Sequence, residues 1–213
     1  MEIKHQNTIQ FDRWQWHDVL RPIDYSSLPQ TRRFSEGSYV LSGSSSRLRL
    51  LTLNGRYEWG TRLNYIPPAG QAPGLATFTV ATGGVSVRMS RGLTVDNSYL
   101  FDRNLSEATG RAMYNSHILR SKWNWQLNRE LSVRFIAQYN ALLTNPQLTS
   151  AVTGRRFNAD FLIAYVLHPG TAIYVGYNTN LSRPGPPGGG PGNDRFVNDG
   201  RQFFIKASYL FRF

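Results

Sequence analysis

The sequence predicts an all-β protein: an antiparallel, up-and-down transmembrane β-barrel with about ten strands in this chain. Three observations carry that prediction. The closing stretch 202–213, QFFIKASYLFRF, is two-faced, with Phe203, Ile205, Ala207, Tyr209, Phe211 and Phe213 on one parity. Gln202, Lys206, Ser208 and Arg212 share the other with Phe204 and Leu210, and such a period of two marks a strand between two different environments. The connections between apolar-alternating stretches are short and long by strict turns, which fits tight turns at one rim and longer loops at the other. Most stretches run to about ten residues or more, beyond the 5–6 or so of soluble sheets and close to the 9–11 or so that crosses a bilayer.

Composition sets the outer bounds. The 213 residues make one domain, spanning 1–213 with 1–33 the least patterned part, or part of something larger. The longest apolar run, 161–167, is far short of the roughly 20 residues of a spanning helix. A barrel strand needs only alternate apolar residues, so a mean hydropathy of −0.39 is compatible with membrane residence. Cysteine is absent, which removes disulfides and thiolate metal sites. The net charge of +11 comes mostly from arginines scattered singly or in pairs, so nucleic acid is not an expected partner. The start, MEIKHQNTIQ, lacks the apolar segment of a secretory leader, which leads us to expect a chain truncated at its N-terminus.

Taken in order, residues 3–14 alternate weakly and predict a strand, and 16–33, with two prolines, predict a loop. Residues 34–43 form a short strand with Tyr39 and Leu41 opposite Ser38 and Ser42, and Gly43 to Ser46 read as a turn. Residues 47–65 make a long strand, Leu51, Leu53, Tyr57, Trp59, Leu63 and Tyr65 facing one way and Arg56, Glu58, Arg62 and Asn64 the other. A Pro/Gly loop (66–76) precedes a strand over 77–90 with Val85, Val87 and Met89 on one side. After a tight turn, 94–103 carries Val95, Tyr99 and Phe101 opposite Asp96, Ser98 and Asp102. Residues 111–127 and 131–142 form a long hairpin through 128–130, and 155–167 and 171–178 a second one through 168–170. The loop 179–200 contains RPGPPGGGPG (183–192), too poor in side chains to pack and expected to be mobile.

If the apolar parity faces lipid, the opposite parity faces the lumen. The lumen set is then Arg56, Glu58, Arg62, Arg88, Asp96, Arg120, Lys122, Asn124, Gln126, Arg134, Gln138, Asn140, Asp160, Lys206 and Arg212. Cations exceed acids in it, so the expectation is a channel that favours small anionic solutes, or else an interior filled by ion pairs. Tyr57, Trp59, Tyr65, Trp123, Trp125, Tyr209 and Phe211 are placed as lipid-facing belts at the two interfaces, with glycan stacking the competing reading. Trp14 and Trp16, beside the first long loop, are the better placed aromatics for a sugar. His17 and Asp18 form the one adjacent acid–base pair at the long-loop end, a weak catalytic candidate. No HExxH, GxSxG or phosphate-cradling glycine motif occurs, so no catalytic activity, metal or cofactor is expected within this chain.

Two resemblances add to this reading. The terminal strand, with Phe203, Ile205, Tyr209, Phe211 and the final Phe213, resembles the closing strand of bacterial outer-membrane barrels, where it serves as the assembly signal. LRSKWNWQLNRELSVRFIAQYN (119–140), with NSYLFDRN (97–104), HPGTAIYVGYN (168–178) and IKASYLFRF, resembles the C-terminal part of the bacterial envelope proteins catalogued as domain of unknown function 5916. That resemblance covers roughly 34–213. Members of that family typically place a family-9-like carbohydrate-binding domain ahead of a β-rich region, and that domain is absent from these residues. It implies the outer membrane of a Gram-negative bacterium, with lipid bilayer, lipopolysaccharide and the barrel-assembly machinery as partners, and supplies no catalytic residue. The alternatives are an envelope hydrolase or carbohydrate-related enzyme whose working domain lies elsewhere, and a soluble β-sandwich binding module.

Overall fold

The computed structural model describes residues 7–168, 170–185 and 195–210. Its ten strands are β1 (Asn7–Leu20), β2 (Arg32–Leu48), β3 (Leu51–Asn64), β4 (Gly74–Arg88), β5 (Leu93–Ser106), β6 (Ala112–Gln126), β7 (Leu131–Thr144), β8 (Gly154–His168), β9 (Thr171–Pro184) and β10 (Val197–Ser208). Each pairs antiparallel with its sequence neighbours in one sheet ordered β1 to β10, and no helix occurs among the described residues. The up-and-down meander and the short–long alternation of its connections are as the sequence predicts.

Several boundaries differ, each for a local reason. Gly43 to Ser46 is not a turn. These residues continue β2, where Gly43 faces Gly55, Ser44 faces Asn54, and the Ser44 and Thr8 hydroxyls lie 2.7 Å apart. The reversal falls at residues 49–50 instead. β1 continues through Trp16, His17 and Asp18, which pair with Glu36, Ser35 and Phe34, so the predicted loop over 16–33 shrinks to 21–31. β9 and β10 extend into the predicted 179–200 loop, Asn180 facing Gly200 and Leu181 facing Asn198. Of the glycine-rich run, residues 186–194 lie outside the described residues, as do the terminal Phe211, Arg212 and Phe213.

The pairing rows run obliquely. The row that starts at Thr8 passes through Ser44, Asn54, Gly84, Ser98, Arg120, Gln138, Asn158 and Asn180 to Gly200. Thr8 is near the short-turn end of β1, and Gly200 is near the long-loop end of β10. Strands so staggered are inclined to the sheet's long axis, as a curling wall requires. The sheet also curls at its long-loop rim. There the Thr149 hydroxyl, between β7 and β8, donates to the Ile66 carbonyl, between β3 and β4, at 2.7 Å. At Gly60 the strands approach closely: a Cβ there would lie 2.1 Å from the Gly37 carbonyl oxygen, so only glycine lets β3 seat against β2.

Among the described residues this sheet has no second layer. The chain exposes 14808 Å², against roughly 10,000 Å² for a compact monomer of 24.2 kDa. Among the described residues a hydrophobic cluster of buried residues, Leu20, Leu28, Phe34 and Leu63 with Tyr25, Ala72 and Leu75 against it, sits at the long-loop end of β1–β4. The soluble-sandwich alternative needs a second sheet to cover the apolar face, and the described residues supply none.

Candidate functional site

Residues directly opposite each other across a ladder share a face, so the register sorts every strand residue to one side. One face is apolar and aromatic over most of its extent, with Arg33, Arg103, Arg155, Arg183 and Arg201 on it in the long-loop half and Arg13 near the middle of β1. A single row on it reads Leu51, Val87, Val95, Trp123, Phe135, Phe161, Tyr177, Phe203. The next reads Leu93, Trp125, Val133, Ile163, Val175, Ile205. Much of this surface is bare: Phe203 is 64% exposed, Ile205 65% and Trp125 50%. Phe11, Tyr39, Tyr57 and Trp59 stack together on the same face with centroids 5.4–6.4 Å apart. His117 lies there too, its Nδ1 2.7 Å from the Tyr99 hydroxyl and its ring against Phe101, a histidine satisfied within an aromatic cluster.

The opposite face carries the strand carboxylates and their basic partners, interspersed with Val40, Val80, Ile118 and Leu162. Arg56 pairs with Glu58 at 2.5 Å, and Ser38 donates to the same carboxylate at 2.8 Å. Arg62 is the centre of the largest network. Its Nη2 reaches Asp102 at 2.5 Å and the Tyr114 hydroxyl at 2.7 Å, and its Nε donates to Asn104 at 2.9 Å. The guanidinium also lies 4.6 Å from the Phe78 ring centroid. Asp96 accepts from Ser86 at 2.6 Å and stands 3.9 Å from Lys122. Asn178 donates to Asp160, and Asn158 to Asn180.

All the expected interior residues within the described range, from Arg56 to Lys206, fall on this one face. Sequence reasoning omitted Asp12, Asp18, Glu36 and Arg156, which the register adds to it. Their addition changes the charge pattern. Acids are concentrated on β1, β2, β3 and β5, while Arg120, Arg134, Arg156 and Lys206 on β6–β10, with Arg88 on β4, form no ion pair among the described residues. The unpaired cations of this face therefore gather mainly on β6–β10 rather than evenly over it.

At the long-loop end β2 and β3 part. Their ladder ends at Gly37 and Thr61, and beyond it Glu36 replaces the missing backbone partner, its Oε2 accepting the Leu63 N–H at 2.6 Å. Here parity no longer dictates the face. Tyr65, expected in the lipid-facing belt, instead donates its hydroxyl to Asp18. That donation holds the Tyr65 phenol well above its ordinary range, burial adding to it. Trp16, Asp18, Glu36, Arg62, Tyr65 and Tyr114 line a cleft of about 450 Å³ at this parting.

His17 and Asp18 do not form a dyad. Adjacent residues of one strand point to opposite faces, His17 opposite Ser35 and Asp18 opposite Phe34 on the polar side. No group of three or more potential metal ligands occurs among the described residues. Compared with protein-family models, curated proteins and solved structures, the chain matches none of them.

Proposed function

We propose that this chain forms the wall of a transmembrane β-barrel in the outer membrane of a Gram-negative bacterium. In this reading the apolar face lies in lipid, the polar face lines the interior, and one side of that interior attracts anions. The supporting observation is the broad exposed apolar face, whose arginines gather toward the long-loop end, behind a hydrogen-bonded face that carries the strand carboxylates. A bilayer is the partner that removes such a surface from water without a second sheet. The barrel-assembly machinery and lipopolysaccharide follow as partners from that location. The resemblance to the family of unknown function 5916 fits the same place and adds no activity.

Expelled from detergent, the purified chain is expected to aggregate, and on gels it is expected to migrate differently before and after boiling. A chain that stays monodisperse without detergent and shows no heat-dependent migration would overturn the reading. In planar bilayers the interior is expected to pass small anions in preference to cations. Arg120→Glu and Arg134→Glu, which reverse unpaired charges on the polar face, are expected to move the reversal potential toward cations. Absence of conductance in an inserted, heat-modifiable barrel would instead mark a filled interior.

A further inference from the structure

We propose that the cleft between the long-loop ends of β1, β2 and β3 binds a primary organic ammonium group. The argument starts from Glu36. Its residue is 3% exposed, its Oε2 holds the Leu63 N–H, and its Oε1 is buried with no hydrogen-bond partner. A buried carboxylate oxygen without a donor is costly, and native structures fill such positions with water, a cation or a ligand. Asp18 is the diagonal neighbour of Glu36 on the same face, since Trp16 faces Glu36 and Asp18 faces Phe34. Asp18 accepts the Tyr65 hydroxyl and stands against the Glu36 carboxyl group. No lysine or arginine among the described residues makes an ion pair with either acid.

Arg62, the nearest cation lining the cleft, is committed elsewhere. Its hydrogen-bond partners Asp102, Asn104 and Tyr114 all lie on β5 and β6, away from β1 and β2. Two neighbouring carboxyl groups therefore face the cleft with no basic residue paired to either among the described residues. Around them stand the Trp16 indole and the Tyr65 and Tyr114 rings. An ammonium carries three donors, enough for Asp18 and the orphan Glu36 oxygen together, and aromatic faces favour both its charge and the carbon chain behind it. The 450 Å³ of the cleft suits a small amine and lies within the range of about 300–1,000 Å³ of ligand pockets. An anion is excluded by the two acids, and a neutral polyol leaves them without a counter-charge. The inference requires only that the polar face be reached by water, so it stands apart from membrane residence.

The test is calorimetric titration of the full chain in detergent with benzylammonium chloride, and with benzyl alcohol as the neutral isostere. Saturable binding of benzylammonium with none of benzyl alcohol is expected. Glu36→Gln keeps the shape and its Leu63 contact, and Asp18→Asn keeps the Tyr65 contact. Each is expected to weaken benzylammonium by about tenfold or more. Asp160→Asn, elsewhere on the same face, is expected to leave binding unchanged. Equal binding of the alcohol, no binding of the amine, or affinity unchanged in both Glu36→Gln and Asp18→Asn overturns the proposal. Should one variant fail to fold, the other and the amine–alcohol comparison decide the matter. Heat-dependent migration of the same samples reports separately on the barrel reading.

Discussion

Arg62 shows how a single side chain ties the wall together. From β3 it reaches over β4 to groups on β5 and β6, and Phe78 of β4 lies under its guanidinium. Arg62 and Asp102 are about a quarter exposed, so the pair is screened less than a surface ion pair and desolvated less than a core one. Arg62→Met is expected to destabilise the folded state by on the order of 2 kcal/mol, mostly through the carboxylate left behind. Adding Asp102→Leu is expected to return part of that loss, as urea unfolding in detergent would measure in a double-mutant cycle. Strict additivity of the two changes would show that the contact carries no energy. Sequence parity placed Arg62 and Asp102 on the correct sides of their strands, because alternation is a local property. It could not pair them, because pairing depends on the register across β4. The same limit explains Glu36 and Tyr65. Phe34, Glu36, Ser38 and Val40 share a parity that was readable from the start, but the parting of β2 from β3 was not. Where the ladder ends, so does the rule that assigns Tyr65 to lipid.

At the scale of the element, each strand is a two-faced ribbon whose faces differ in what they tolerate. Ile163 and Ala164 are neighbours near the middle of β8, the first in the row with Val133 and Val175, the second in the row with Ser132 and Tyr174. On the barrel reading, Ile163→Arg meets hydrocarbon at mid-depth and is expected to cost about 2–4 kcal/mol, whereas Ala164→Arg would meet a polar interior and is expected to cost much less. Guanidinium unfolding of the two variants folded into vesicles measures the difference. Equal costs would show that the two faces share one environment and would count against the barrel reading. The strands themselves were legible because period two survives in all of them, and the turns at 89–92 and 127–130 announce themselves through Gly92 and Asn128. The misplaced turn at Gly43 to Ser46 has a physical cause. Glycine and serine are turn formers in isolation, but here Gly43 and Ser44 are held extended by pairing with Gly55 and Asn54 on β3 and with Ile9 and Thr8 on β1. The β9–β10 extension was hidden because Thr179, Asn180 and Ser182 read as loop residues, while the Asn180 side chain bonds Asn158 across the ladder.

For the whole molecule the open question is physical: the sheet has two edges, β1 and β10, and each would leave a row of backbone donors and acceptors unpaired in hydrocarbon. An unsatisfied group there costs several kcal/mol, and β1 and β10 run to 14 and 12 residues. The stagger from Thr8 to Gly200 and the contact between the Ile66 and Thr149 loops show a wall already inclined and curling. On the barrel reading, therefore, both edges are paired in the membrane, with each other or with further strands. Amide hydrogen exchange of the protein in lipid vesicles tests this without knowledge of the register. The amides of β1 and β10 that do not bond β2 or β9 are expected to be protected to the same degree as those of β5, which is flanked on both sides. Exchange within seconds along either edge, beside slow exchange in β5, would mean an open sheet. Such an edge could not reside in a bilayer, and the apolar face would then need a protein partner instead.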